Sequence, residues 1–143
     1  MIVLDTNVLS ETMRAAPDLA VVAWLNRQDI ATLYMTAVSL AELRFGIAHL
    51  DQGRTRTDLT DRLKAMLEQV FQGRILPFTA AAAQIFVDRM ATARRNGRAV
   101  GFQDGMIAAS VAASGFSIAT RDTGPFEAMG LAVTNPWSGA AGS

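Results

Sequence analysis

Met1-Ile2-Val3-Leu4-Asp5-Thr6-Asn7 runs three aliphatic residues into a carboxylate and two small polar side chains. A short apolar run that stops at Asp-Thr-Asn reads as a buried strand with Asp5 at its carboxyl end. In open parallel sheets that edge is where ligands bind. Asp5 is therefore a point at which other side chains of the fold can converge.

Outward from that stretch, residues 8–13 continue as a short helix, and Pro17-Asp18 turns the chain into a second helix over 19–27, with Leu19, Val22, Trp24 and Leu25 at helical spacing. Residues 32–36 are rich in strand formers and lead directly into a helix over 37–50. There Val38, Ala41, Phe45 and Ala48 form an apolar row that Leu40, Leu43 and Ile47 widen, so this helix is expected to be largely enclosed. Gly53 and the polar cluster 54–58 read as a connection into a helix over 59–71, buried through Leu63, Met66, Leu67 and Val70.

The second half repeats the alternation. Residues 74–78 read as a short strand whose Pro77 marks an edge or an end. Thr79 caps a helix that runs to Arg95 and stops at Asn96-Gly97. A loop over 98–103, a small-residue helix from Asp104 to Ser114, and strands at 116–120 and 130–134 complete the series, with Asn135-Pro136-Trp137 closing it. Strands alternating with helices predict right-handed crossovers, hence a three-layer α/β/α fold with a central parallel sheet covered on both faces. We expect one domain over 1–137 and a flexible tail over 138–143.

Composition narrows the chemistry. Thirteen basic and thirteen acidic side chains cancel, which removes the footprint of a generic nucleic-acid binder. Cysteine is absent, excluding a disulfide framework, a thiolate zinc site and a cysteine nucleophile. The sole lysine, Lys64, follows no glycine-rich loop, and the sole histidine, His49, has no Gly-x-Ser-x-Gly elbow to serve. The start lacks a basic leader and no run is long enough to span a bilayer, so a cytoplasmic protein is the expectation. Acids and arginines remain.

Asp5 and Asp122 each follow an aliphatic run, so in a parallel sheet both leave the same edge. Glu42 lies about one and a half turns into the helix after a third strand, where its side chain leans back toward that edge. Asp104 sits in the first turn of its helix, where the macrodipole favours an anion, although capping alone also accounts for an Asp there. Glu42 among Ala41, Leu43 and Phe45 calls for a partner, with Arg44 and Arg121 as candidates. If the acids converge, their repulsion calls for a cation, and an all-oxygen donor set suits magnesium or manganese. Such a site activates water and stabilises a phosphodiester undergoing displacement.

The residues that carry this pattern extend over the whole chain: Ile2-Val3-Leu4-Asp5-Thr6-Asn7-Val8-Leu9-Ser10, Ala41-Glu42-Leu43-Arg44-Phe45-Gly46, Asp104-Gly105-Met106-Ile107-Ala108-Ala109, and Ala119-Thr120-Arg121-Asp122-Thr123-Gly124 with Asn135-Pro136-Trp137. In that order and spacing the chain resembles the PIN-domain ribonucleases of the VapC type, and among them the FitB-like branch. The resemblance implies that Asp5, Glu42, Asp104 and Asp122 are both catalytic and metal ligands for Mg2+ or Mn2+, with Thr6 near the metal and Asn7 shaping the site. Many relatives have Asn where Asp122 stands and a later Asp where Pro125 stands. It further implies an RNA substrate, a homodimer, and a small VapB- or FitA-like antitoxin through which operator DNA is bound.

Cations for RNA are sought in Arg94, Arg95 and Arg98, just before the loop to Asp104, and in Arg121 beside Asp122; arginine grips phosphate through its planar fork. For the first three, a solvated helix end that complements its own dipole is the competing reading. Two other functions place acids at strand ends. One is a regulatory binding partner of a DNA-binding antitoxin with little hydrolysis of its own. The other is a receiver or aspartyl-phosphate phosphatase, which fits poorly because Asn7 follows Asp5 where a second acid belongs and no lysine accompanies the site.

Overall fold

The computed structural model describes residues 1–137, so the tail expected over 138–143 lies outside the described residues. Five parallel strands stand in the order β3-β2-β1-β4-β5, where β1 is Ile2–Leu4, β2 Leu33–Thr36, β3 Ile75–Leu76, β4 Ser117–Ala119 and β5 Val133–Thr134. Seven helices connect them: α1 Thr6–Thr12, α2 Leu19–Asn26, α3 Ala37–Ala48, α4 Arg54–Gln69, α5 Ala80–Arg95, α6 Phe102–Ser114 and α7 Thr123–Ala128. The order reverses between β1 and β4, which makes the carboxyl edge of that pair the topological switch point.

Strand residues alternate between two cores, as a period of two requires. Leu4, Leu33, Met35 and Ala119 face α1 to α4, where Val8, Leu9, Val21, Trp24, Leu43 and Leu63 meet them. Val3 and Ile118 face the opposite way, onto Ile107, Ala108 and Val111 of α6 and Phe126 of α7. Helices on both faces make the three-layer architecture. The α5–α6 pair packs closely because Gly105 has no side chain: a Cβ there would lie 2.6 Å from Met90 Sδ and 2.9 Å from the Phe86 ring.

Several elements differ from the sequence reading: α6 begins at Phe102, inside the loop expected over 98–103, and β5 spans only Val133–Thr134 of the 130–134 expected. Helix α4 begins at Arg54, one turn and more before Leu59, because residues 54–58 are an exposed polar start that carries no apolar period. Helix α7 lies between β4 and β5, hidden in the sequence by Gly124-Pro125; a first turn tolerates proline, since its N–H groups have no intrahelical partner. Helix α3 is not enclosed. Ser39 and Leu43 are its buried residues, whereas Ala37, Ala41, Phe45 and Ala48 face solvent, Phe45 at 66% exposure. The short edge strand β3 stops before Pro77, as expected.

Candidate active site

Register places the first acid. Leu4 pairs with Ala119, so Asp5 and Thr120 are the next residues out of two adjacent strands. The Thr120 hydroxyl donates to Asp5 Oδ2 at 2.8 Å, and the Thr6 backbone N–H donates to Asp5 Oδ1 at 2.8 Å. Asp5 thereby caps α1 while its carboxylate stays 4% exposed. Thr120 Oγ1 also accepts from Asn7 Nδ2 at 3.2 Å and from the Asp122 backbone N–H at 3.1 Å. Asn7 Oδ1 in turn accepts from the Arg121 backbone N–H at 3.3 Å. One fully buried threonine therefore joins Asp5, Asn7 and Asp122.

A second hydroxyl relay orients Glu42. Thr6 Oγ1 lies 3.1 Å from Glu42 Oε1 and 2.9 Å from Ser39 Oγ, and Thr36 Oγ1, the cap of α3, accepts from the Ser39 backbone N–H at 3.0 Å. Thr6 has one proton, so donation to Glu42 leaves Ser39 to donate to Thr6. Neither Arg44 nor Arg121 is paired with Glu42; its partner is the threonine hydroxyl. Asp104 lies in the first turn of α6, whose N-cap is Gly101, and Asp122 precedes α7 without a side-chain capping bond.

Asp5, Thr6, Asn7, Glu42, Asp104, Arg121 and Asp122 line one cleft of about 500 Å3, which Ser10, Glu11, Arg14 and Trp137 complete. Burial pushes the Asp5 carboxyl up to about 6; the hydrogen bonds from Thr120 and Thr6 oppose this, and the charges of Asp104 and Glu42 reinforce it. Glu42 is raised by burial, opposed by Thr6 and reinforced by Asp104. Asp104 is raised by burial and by the charge of Asp122. The four acids thus feel one another, the state that a cation relieves.

Among the described residues no three acids stand close enough to hold one ion jointly. The donor set nevertheless fits a hard, hydrated cation, because magnesium retains several waters and takes few protein ligands. The cleft brings all four predicted acids together with Thr6, Asn7 and Arg121. It leaves out Arg94, Arg95 and Arg98. Arg98 is engaged by α7, donating to Gly124 O at 3.1 Å and lying 4.0 Å from Glu127.

Three contributors escaped the sequence reading. Thr120 is a hydroxyl set against Asp5 and Ser39 one set against Thr6, signalled only by small polar residues where apolar strands end or helices begin. Glu11 is 6% exposed, accepts from the Asp18 backbone N–H at 2.9 Å and pairs with Arg14 at 3.1 Å, which ties the α1–α2 loop beside the cleft.

The PIN domain family model matches residues 2–131. The chain belongs to the PIN domain family. Among curated relatives, this PIN domain is 50% identical to the VapC ribonuclease Y4jK of Sinorhizobium fredii over 98% of this chain and 100% of that protein. It is 42% identical to Toxin FitB of Neisseria gonorrhoeae over 96% and 99%. Among solved structures, it superposes on a chain of FitAB bound to an IR36 DNA fragment with a TM-score of 0.90, at 41% identity over 96% of both chains.

Proposed function

We propose that this PIN domain is the toxin of a toxin–antitoxin pair and acts as an Mg2+- or Mn2+-dependent endoribonuclease. The observation that carries the reading is the meeting of Asp5, Glu42, Asp104 and Asp122 in one cleft at the switch point of the sheet. Full-length similarity to a VapC ribonuclease and to FitB supports it. Asp5, Glu42, Asp104 and Asp122 would hold the cation, no more than two of them directly and the others through the waters it retains; when bound it would supply Lewis-acid activation of water and charge stabilisation at the scissile phosphate.

The chain's own residues do the rest. Thr120 and the Thr6 N–H fix both Asp5 oxygens, so the carboxylate presents its remaining lone pairs to the cleft without a rotamer search. Thr6 fixes Glu42 in the same way. Burial raises the carboxyls of Glu42 and Asp104 above the ordinary carboxylate range, which makes each a stronger base toward an attacking water.

Two partners belong to the proposal. The antitoxin is a small DNA-binding protein that inserts a segment toward the acids, and operator DNA is bound by the complex, in keeping with the DNA-bound FitAB structure to which this chain is similar. The second is another copy of the chain, seated on the exposed apolar flank of α3 at Phe45, which is 66% exposed; Phe102 of α6 and Val87 of α5 are exposed as well, at 67% and 57%.

The test is RNA cleavage by purified protein with Mg2+ or Mn2+. Wild type cleaves and Asp5→Asn does not while keeping its fold; equal cleavage by the two ends the proposal. The DNA-bound neighbour also favours a regulatory reading, in which the acids serve to receive the antitoxin. Operator binding by the antitoxin complex of a wild type that shows no RNase activity in either metal would select it.

A further inference from the structure

Resting on the ribonuclease reading, we infer that Arg121 and Trp137 form a substrate platform at the rim of the acid cleft: Trp137 holds the Arg121 guanidinium flat, and Arg121 grips an RNA phosphate flanking the scissile one. Arg121 Cζ lies 5.1 Å from the centroid of the Trp137 ring. Both side chains line the cleft that holds the four acids.

The placement answers a specific electrostatic difficulty. A lone arginine beside four carboxylates collapses onto them and cancels the charge that a cation needs. Among the described residues Arg121 forms no ion pair, although Asp122 is its chain neighbour. Stacking on an indole supplies the alternative attraction, satisfying the face of the guanidinium and leaving its N–H edge open to a phosphate fork.

Both halves are held from behind. The Trp137 backbone N–H donates to Asn135 Oδ1 at 2.9 Å, and its ring packs against the core that contains Leu4 and Ala119. Arg121 is tied to Asn7 through its backbone N–H, so changing its side chain leaves that bond in place. With a net formal charge of zero, the chain has no general attraction for RNA, and a positioned cation at the mouth of the site carries correspondingly more of the binding. Trp137 is a positioning residue; Arg121 is the one that touches substrate.

The experiment compares Arg121→Ala, Arg121→Lys, Trp137→Ala, Trp137→Phe and the double alanine variant on a single-stranded RNA with Mg2+. Arg121→Ala raises KM by about tenfold with kcat within about twofold, the signature of lost ground-state binding. It also lowers the slope of log Kd against log salt by about 0.7 for one phosphate contact to a single strand. Arg121→Lys restores the salt slope and leaves KM high, because charge returns without the planar stack. Trp137→Ala matches Arg121→Ala, the double variant is no worse than either, and Trp137→Phe recovers most of the loss.

Unchanged KM in Arg121→Ala, a loss confined to kcat, or multiplicative effects in the double variant would overturn the platform. If Trp137→Ala does not fold, the two Arg121 variants and Trp137→Phe decide alone. Anisotropy of labelled RNA in the Asp5→Asn background reads binding without cleavage. A wild type that does not cleave, with RNA binding that still depends on Arg121, sinks the nuclease reading and keeps the platform; cleavage that ignores Arg121 does the reverse.

Discussion

At the carboxyl edge of the sheet Asp5 is a carboxylate at 4% exposure, whereas on the adjoining helix Phe45 is an aromatic ring at 66% exposure. Glu42 lines both the acid cleft and the apolar groove that contains Ala41, Phe45, Gln103 and Met106, so the two regions share a wall. Each departs from the usual partition of side chains, in opposite senses. Buried charge costs free energy until an opposite charge arrives, and exposed apolar area costs it until another surface covers it. One helix thus borders two surfaces of different chemistry, buried acids on one side and exposed apolar side chains on the other.

The largest effect expected on this contrast is at the buried charge. Asp5→Asn lowers RNA cleavage by about a thousandfold or more, since several kcal/mol of transition-state stabilisation is lost with the carboxylate. A far-UV spectrum and melting point near wild type accompany the loss. Cleavage within tenfold of wild type would show that Asp5 is a cap and nothing else.

The exposed side should respond to the reverse operation. Phe45→Glu weakens self-association by about a hundredfold, as expected for an aromatic anchor of an interface, and leaves the protomer folded because the ring already stands in water. Sedimentation of wild type and variant over a range of concentrations measures it. A wild type that is monomeric throughout, or a dimer indifferent to Phe45→Glu, removes the flank from consideration.

A smaller effect belongs to the hydroxyl behind the acid. Thr120→Val keeps shape but takes away the bond to Asp5 Oδ2, and metal affinity or activity falls by about 10- to 100-fold. Calorimetric Mn2+ titration alongside the cleavage rate tests this, and an unchanged Mn2+ affinity would place the role of Thr120 in folding alone.

The smallest is a pH dependence of stability. The folded pKa of Asp5 is about 6, above its unfolded value of roughly 4. A raised carboxyl contributes stability that is fully present below the unfolded pKa and is lost as pH rises through the folded one. Metal-free protein therefore loses on the order of 1–3 kcal/mol from this residue between about pH 4 and 7. Melting curves at pH 5 and 7 with chelator should differ in wild type, differ less in Asp5→Asn, and converge in wild type when Mg2+ is added. A wild-type melting point that is flat across this range without metal contradicts the assignment.

Much of the fold could be read along the chain because its signals are local. Ile2-Val3-Leu4 and Ile118-Ala119 are apolar runs of strand length, Thr79 and Asn96-Gly97 bracket α5, and Gly115 ends α6 in a left-handed conformation. Helix α7 and the start of α4 escaped, being short or polar, with no period to detect. The enclosed reading of α3 failed for a related reason. A row of Val38, Ala41, Phe45 and Ala48 says that a face is apolar but not whether this chain or another covers it.

The alternation of strands and helices, and hence the parallel sheet, follows from the sequence, as does the narrowing of candidate chemistry to acids and arginines in a chain with no cysteine, one histidine and one lysine. Tertiary structure alone decided which polar groups meet. Thr120 faces Asp5 because Leu4 and Ala119 are in register, Thr6 reaches Glu42 across 36 positions, and Arg121 rests on Trp137 while Arg98 is engaged by α7. The physical reason is range. Propensity, capping and periodicity act within a few residues, whereas hydrogen bonds, charge repulsion and stacking between distant segments exist only after packing has set the distances.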